Sequence, residues 1–397
     1  MKRVLFLGGA PTQLPPIKYA LEQGYYVITV DYLPENPGHK LANKYYDVST
    51  TDADAVLEVA KKEKIDGIVA YASDPAAPTA AYVAEKLRLP GNPYESVEIL
   101  ARKDLFREFL AKHNFNTPRS KAFYNETEAR DWLNEIGVPA FAKPVDSSGS
   151  KGVTHLQNVE EFHEAFEHAL KFSREKKVVV EEKIVRKGYQ IDSDIFLLDG
   201  EVVFWAWGDQ HQDIECHPYT PVAISFPSVM SATLQEKAKE VISDILKALN
   251  FKSGAFNVEF VVDHQDQVWV IEIGPRNGGN LIPQVLHYAT GADTIAATVD
   301  AAIGLEVKNI RQDKVKGYWS SYIVHAKQDG TFKDVWMSDR LKSYIVEESM
   351  AVKKGQKVSK FNGSHHALGT LILKYSSLEE MLEMLDNMEQ EICVVVE

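Results

Sequence analysis

Residues 1–94 switch between short apolar runs and stretches with helical spacing. Arg3–Leu7 predicts a buried strand. Tyr26–Val30 predicts a second, ending at Asp31, and Gly67–Tyr71 a third, ending in Ala72-Ser73-Asp74. Helices are expected at Ile17–Gln23, introduced by Pro15-Pro16 and stopped by Gly24, at Ala53–Glu63, and at Ala77–Leu87. Strands alternating with helices imply a parallel, doubly wound sheet. Ligands bind such sheets beyond the carboxyl ends of the strands. Gly8-Gly9, Asp31 and Ser73-Asp74 therefore stand at a candidate site. Gly8-Gly9-Ala10-Pro11 does not make a dinucleotide fingerprint, because the G-x-G-x-x-G spacing is absent and Pro11 has no N–H to offer pyrophosphate.

From Tyr94 the pattern changes. One helix is expected over Ser96–Lys112, carrying Lys103 and Arg107, before a break at Thr117-Pro118. Ala129–Glu135 reads as a helix and Pro139–Lys143 as a short strand. The loop Asp146–Gly152, DSSGSKG, offers hydroxyls, backbone N–H groups and one cation, which suit phosphate oxygens. It lacks the P-loop spacing, and a flexible turn is the plain alternative. Val178–Ile184 and Gln190–Leu198 follow as strands, and Asp199-Gly200 turns into Glu201–Trp207. Near the end, Leu378–Glu391 carries an apolar stripe of Met381, Leu382, Leu385 and Met388 and reads as a packed helix.

The stretch Phe256–Asn280, FNVEFVVDHQDQVWVIEIGPRNGGN, reads as a β-hairpin bearing two acids. Phe256, Val258, Phe260 and Val262 alternate on one strand, and Trp269, Ile271 and Ile273 on the next. A turn centred between Gln265 and Asp266, without a bulge, sets Glu259 opposite Glu272. Like charges opposed across a strand pair repel. A cation between them relieves the repulsion, and oxygen-only ligands suit Mg²⁺ on a nucleotide phosphate better than Zn²⁺. Arg276, Asn277 and Asn280 follow at once, with Gly278-Gly279 permitting close backbone approach.

Composition narrows the reading. The 397 residues leave room for two or three domains. A hydrophobic share of 45% and a charged share of 25% are globular values. A net charge of −13 argues against a nucleic-acid partner. Cys216 and Cys393 form neither a metal spacing nor a disulfide framework, as expected of a cytoplasmic chain. The opening MKRVLFLGGAP reads as a first strand and not as a signal peptide. No apolar run is long enough for a membrane span.

In this order the pieces resemble the ATP-grasp superfamily. A Rossmann-like region precedes a basic helix, then a lysine before a Gly/Ser loop, a hinge, and two metal acids. The chain is similar to biotin carboxylase, carboxyaminoimidazole ribonucleotide synthetase, the carbamoyl phosphate synthetase large subunit and bacterial amino-acid ligases. The resemblance implies a mixed α/β and α+β architecture. A Rossmann-like domain would span 1–94 and an ATP-grasp domain 95–305, with a mobile lid at about 117–183. A C-terminal α+β region would span 306–397. It further implies that Lys103 and Lys143 contact ATP phosphates and that Ser148, Gly149, Ser150 and Gly152 belong to the loop over them. Glu181 would accept from the adenine amino group, with Glu182, Lys183 and Ile184 completing the hinge. Gln190 falls at the ribose position. Glu259 and Glu272 would hold Mg²⁺. Arg276, with Lys143 and Asn280, would serve catalysis.

Two departures from that pattern stand out. Gly274 occupies a position where many relatives carry Asn, which removes one metal ligand. Gln190 is neutral where an acid or histidine is common. The implied chemistry is an ATP-dependent carboxylate–amine ligation through an acyl phosphate, releasing ADP and phosphate. Alternatives are phosphorylation of bicarbonate and ATP binding without turnover. Ser73, Asp74, His211, Tyr219, Arg276 and Asn277 are candidates for substrate contacts. A small carboxylate and an amine are the expected partners, and the resemblance also admits a homodimer.

Overall fold

The computed structural model describes residues 1–308 and 310–397. The first sheet is parallel, in the order Lys44–Asp47, Tyr26–Asp31, Arg3–Leu7, Gly67–Val69. The expected helices Ala53–Glu63 and Ala77–Leu87 have the anticipated bounds. Asp52 caps the first by accepting from the Ala55 N–H at 3.1 Å, a contact worth roughly 1 kcal/mol. The Lys44–Asp47 strand was not foreseen, because KYYD has no apolar alternation.

The loop after the first strand is filled by its own side chains. Gln13 donates to the Leu7 and Tyr71 carbonyls and accepts from the Ala10 N–H. Asp31 is engaged by the Leu33 N–H and the Asn36 side chain. Neither residue is left to hold a dinucleotide.

The single helix expected over Ser96–Lys112 is two helices, Tyr94–Ala101 and Lys103–Lys112. Arg102 between them is extended (φ −124°, ψ 116°). The break lets the Lys103 N–H leave the helical ladder and donate to the Val145 carbonyl at 2.8 Å. Lys103 thus starts a new helix against the Gly/Ser loop.

Residues 120–182 form an antiparallel sheet in the order Ser120–Phe123, Val178–Glu182, Ala140–Pro144, Thr154–Leu156. Helices Glu126–Ile136 and Phe162–Phe172 bury Leu133, Phe162 and Phe166 against it. Full burial of such side chains contributes about 1.5–3 kcal/mol each. A larger sheet runs from Val268–Gly274 through Gly254–Val262, Ile191–Leu198, Gly208–Gln212 and Pro221–Phe226 to Tyr318–Val324, Gly369–Tyr375 and Ile345–Met350. It is continuous across residue 305, since Pro221–Phe226 pairs antiparallel with Tyr318–Val324.

The terminal helix is shorter than expected, Leu378–Asp386, because Asn387 folds its side chain back onto the Glu383 carbonyl. Its buried stripe is Met381 and Met384, continued by Met388, and Leu382 is only half-buried. Among the described residues no helix is long and apolar enough to cross a membrane.

Candidate active site

The acid hairpin is Gly254–Val262 paired with Val268–Gly274, and Glu259 does face Glu272. The assumed turn is wrong, however. The Asp263 N–H donates to the Gln267 carbonyl at 3.0 Å, so the turn is centred on Gln265. Asp263 holds it by accepting from the Gln265 and Gln267 N–H groups, each at 2.8 Å, and from Trp269 Nε1 at 2.8 Å. Pairing then runs Val262 with Val268, Val261 with Trp269 and Phe260 with Val270. A bulge at Ile271 restores Glu259 opposite Glu272, so two one-residue shifts cancel.

The bulge has two effects. The Ile271 carbonyl leaves the ladder and accepts from Arg107 Nη1 at 2.9 Å. The phase of the strand also changes. Val268, Val270 and Ile273 are buried in the core, while Trp269 and Ile271 are only partly buried. Ile271 instead lines a cavity of about 580 Å³.

The adjacent strand Ile191–Leu198 extends the acid pair. Its register puts Asp192 opposite Glu259 and Asp194 opposite Asn257. Two rows therefore cross three strands: Asp192, Glu259, Glu272, and next to it Asp194, Asn257, Gly274. Asn257 Nδ2 donates to Asp192 at 2.8 Å and to Asp194 at 3.2 Å, and Gln210 donates to Asp192 at 3.3 Å. Gln190 Nε2 donates to Glu259 Oε2 at 2.8 Å.

Burial pushes the Glu259 carboxyl up to about 8, helped by the charges of Asp192 and Glu272. Burial likewise pushes Asp192 up to about 6 and Asp194 to about 7. Without a cation Glu259 keeps its proton at neutral pH.

Cations face the row from the other wall. Lys103 Nζ lies 3.4 Å from Glu272 Oε2 and donates to the Ser147 carbonyl at 2.7 Å. Lys143, nine-tenths buried, pairs with Glu181. Burial pulls the Lys143 ammonium down against that partner. Burial opposes the Glu181 charge too, but Arg107 and Lys143 outweigh it and hold the carboxyl at about 2. Arg107 Nε reaches Glu181 Oε2 at 2.9 Å. Arg276 is gripped from the first domain: its Nε and Nη2 each donate to an Asp74 carboxylate oxygen at 2.7 Å. Burial disfavours the Asp74 charge, but Arg276 outweighs it and holds the carboxyl below its ordinary range.

Residues 108–280 match the ATP-grasp domain family. The chain carries an ATP-grasp domain over that stretch. It is 24% identical over 324 residues to the carbamoyl phosphate synthase large chain, C-terminal section, of Aquifex aeolicus. That match takes in 78% of this chain but only 59% of the relative's length. Among solved structures it is similar to an L-amino acid ligase from Bacillus licheniformis, with a TM-score of 0.83, 19% identity and coverage of 100% and 99% of the two chains. It is also similar to a phosphoribosylglycinamide synthetase from Anaerococcus prevotii, with a TM-score of 0.77, 23% identity and full coverage of both.

Set on this ATP-grasp frame, the cavity gathers Ser73, Asp74, Lys103, Lys143, Ser148–Ser150, Glu181–Ile184, Gln190, Tyr219, Glu259, Glu272, Arg276 and Asn280. Three expected residues lie elsewhere. His211 is buried on Gly208–Gln212, meets Ser225 Oγ at 2.9 Å and lines a different cavity. Asn277 is fully buried and spent on Thr294 and Thr298. Gly152 (φ 74°) packs against Phe172 and Pro144. Two others have unexpected neighbours: the Glu181 carboxylate is taken up by two cations, and Gln190 meets an acid. The Gly278 N–H approaches Asp194, at 2.8 Å, where a ligand was expected.

Asp192, Asp194 and Asn257 were missed. The alternation in QIDSDIFLL places both aspartates on one face, but only the register of the neighbouring strand reveals what they face.

Both ligands the family implies fit these residues. The chemistry of the donor set is that of a hard cation: oxygen ligands from the opposed acids Glu259 and Glu272. The cavity is of nucleotide size, with Phe141, Ile184, Val261 and Ile271 as apolar lining and the small-residue loop in the same lining as Lys103, Lys143 and Arg276.

Proposed function

We propose that this protein is an ATP-dependent ligase joining a small carboxylate to an amine. The carrying observation is the acid row Asp192–Glu259–Glu272, set across one cavity from Lys103, Lys143 and Arg276. Glu259 and Glu272 would hold Mg²⁺, whose chemistry is to polarise phosphoryl oxygens. Lys143 and Lys103 lie where phosphate charge needs neutralising. Lys103 also fixes the Gly/Ser loop through the Ser147 carbonyl. Arg276, oriented by Asp74, would receive the substrate carboxylate. A carboxylate oxygen attacks the γ-phosphorus and ADP leaves. The amine then attacks the acyl carbon, phosphate leaves, and the nitrogen loses its proton. Positioning and charge neutralisation suffice for these steps.

A matrix of small carboxylates against amines, read by phosphate release, tests the proposal. Release that needs both an acid and an amine supports ligation. Release with bicarbonate alone favours a second reading, phosphorylation of bicarbonate, which the likeness to carbamoyl phosphate synthase large chains motivates. Tight ATP binding with no release from any pair would leave a nucleotide-binding protein without turnover.

A further inference from the structure

A second cavity, of about 660 Å³, lies between the strands 208–212, 221–226 and 318–324 and the C-terminal segment 385–394. Asp213 and His325 line it, and Cys216 lies beside them. One carboxylate oxygen, the thiol sulfur and one imidazole nitrogen all lie within 4.8 Å of one another. No spacing rule applied to Cys216 finds this group, because His325 follows a distant strand, Tyr318–Val324.

His325 decides the reading. Its Nδ1 faces the Ile323 carbonyl at 2.8 Å, and its Nε2 faces Asp213 Oδ2 at 3.1 Å. Both partners only accept. A neutral imidazole has a single N–H. One of the two contacts therefore requires an added positive charge, either a second ring proton or a cation shared by Nε2 and the carboxylate. A metal-bound histidine has this arrangement, with its other N–H fixed on a backbone carbonyl. Asp213 is held in place independently. Its Oδ1 accepts from the Glu215 and Cys216 N–H groups at 3.0 and 3.2 Å, leaving Oδ2 toward His325. Lys327 Nζ stands 3.7 Å from Oδ2 and also has Glu215 and Glu389 as partners, at 3.0 and 3.2 Å. Those two acids can keep Lys327 when an ion takes Oδ2.

We propose that Asp213, Cys216 and His325 bind a zinc-class transition-metal ion, separate from the magnesium site of the acid row. A nitrogen, sulfur and oxygen set suits such an ion and not Mg²⁺. Three protein ligands leave a fourth position toward the cavity. The ion ties segment 213–220 to the strand 318–324. That segment carries Tyr219, whose hydroxyl meets His155 Nδ1 of the lid at 2.6 Å. The metal site and the lid contact therefore share one loop.

The test uses the full chain, stripped with a chelator and kept in excess Mg²⁺. Co²⁺ is the spectroscopic probe and Zn²⁺ the competitor. One equivalent of Co²⁺ should give a thiolate-to-metal charge-transfer band that Zn²⁺ displaces, and Zn²⁺ should raise Tm. Cys216→Ser should abolish the band. His325→Gln should weaken Co²⁺ binding at least about tenfold, the scale on which losing even an outer partner acts. Cys393→Ser and Glu272→Gln should leave the band in place. If His325→Gln does not fold, Asp213→Asn takes the same test with the same expectation. Three results would overturn the site: no band in the wild type, a band that survives Cys216→Ser, or an imidazolium at His325 that Zn²⁺ does not perturb.

Discussion

Glu259 is the residue whose protonation most constrains the chemistry. Its carboxyl is raised from an ordinary value near 4.3 to about 8. The folded state thus keeps a proton that the unfolded chain releases. Stability from this group is complete below the unfolded value and is lost as pH rises toward 8. If Mg²⁺ takes the proton's place, its stabilising effect should grow with pH. The Mg²⁺-induced rise in Tm should be small near pH 6 and level off just above pH 8. Glu259→Gln should flatten the dependence. An equal Mg²⁺ effect at both ends of that range would remove these acids from the metal's ligands. Glu272→Gln should cost most of the turnover and weaken metal-dependent nucleotide binding, measured by titration with and without Mg²⁺. Lys143 differs, because it is buried on Glu181. Lys143→Ala leaves Glu181 paired with Arg107, so the fold should survive. Nucleotide affinity and kcat should both fall, by roughly tenfold or more if the ammonium meets a phosphate. Unchanged kinetics in a folded variant would make it a structural lysine.

At the scale of elements, the acid hairpin shows what the sequence makes legible. Alternation gave two strands and an acid pair because burial of Phe256, Val258 and Phe260 enforces period two. It did not give the three-residue turn or the bulge, since each shifts the register by one residue and only their sum is fixed by the glutamates. The helices Ala53–Glu63 and Ala77–Leu87 were legible because their apolar spacing is local to each segment. The break at Arg102 was not, because it depends on a hydrogen bond to Val145, far away in the chain. Partners such as Asp192 are invisible for the same reason. Gly274 becomes intelligible only in the folded row. A Cβ there would lie 2.6 Å from Asp74 Oδ1 and 3.1 Å from Arg276 Cζ. Gly274→Asn should therefore displace the Asp74–Arg276 pair and lower activity, and not simply add a metal ligand. Tighter Mg²⁺ dependence with full activity would show that the pair can yield. The loop Ser147–Gly152 is held by Lys103 through one carbonyl. Its amide hydrogen exchange should slow when a non-hydrolysable ATP analogue binds. Equal exchange with and without the analogue would deny it a lid role.

At the scale of the whole molecule, the site is assembled from parts that meet only on folding. The parallel sheet contributes Asp74 from beyond the end of its strand Gly67–Val69, as ligand placement in such sheets anticipates. The central sheet contributes the acid row, and the smaller sheet of residues 120–182 contributes Lys143. Asp74 and Arg276 join the first of these to the second through two 2.7 Å hydrogen bonds, with both side chains mostly buried. Arg276 has many orientations in isolation, and the Asp74 fork selects one. If Arg276 receives the substrate carboxylate, Asp74 acts through it as a positioning residue. The two should then behave as a unit. Asp74→Asn and Arg276→Lys should each raise KM for the carboxylate more than KM for ATP. The double variant should be little worse than either single one, with a coupling of roughly 2 kcal/mol. Independent domains bridged by a surface ion pair would instead give additive losses. Such losses would be near 1 kcal/mol or less and would not single out the carboxylate. Additivity, or losses that fall equally on both KM values, would reduce Asp74 to a structural strut and leave the carboxylate without its proposed receptor.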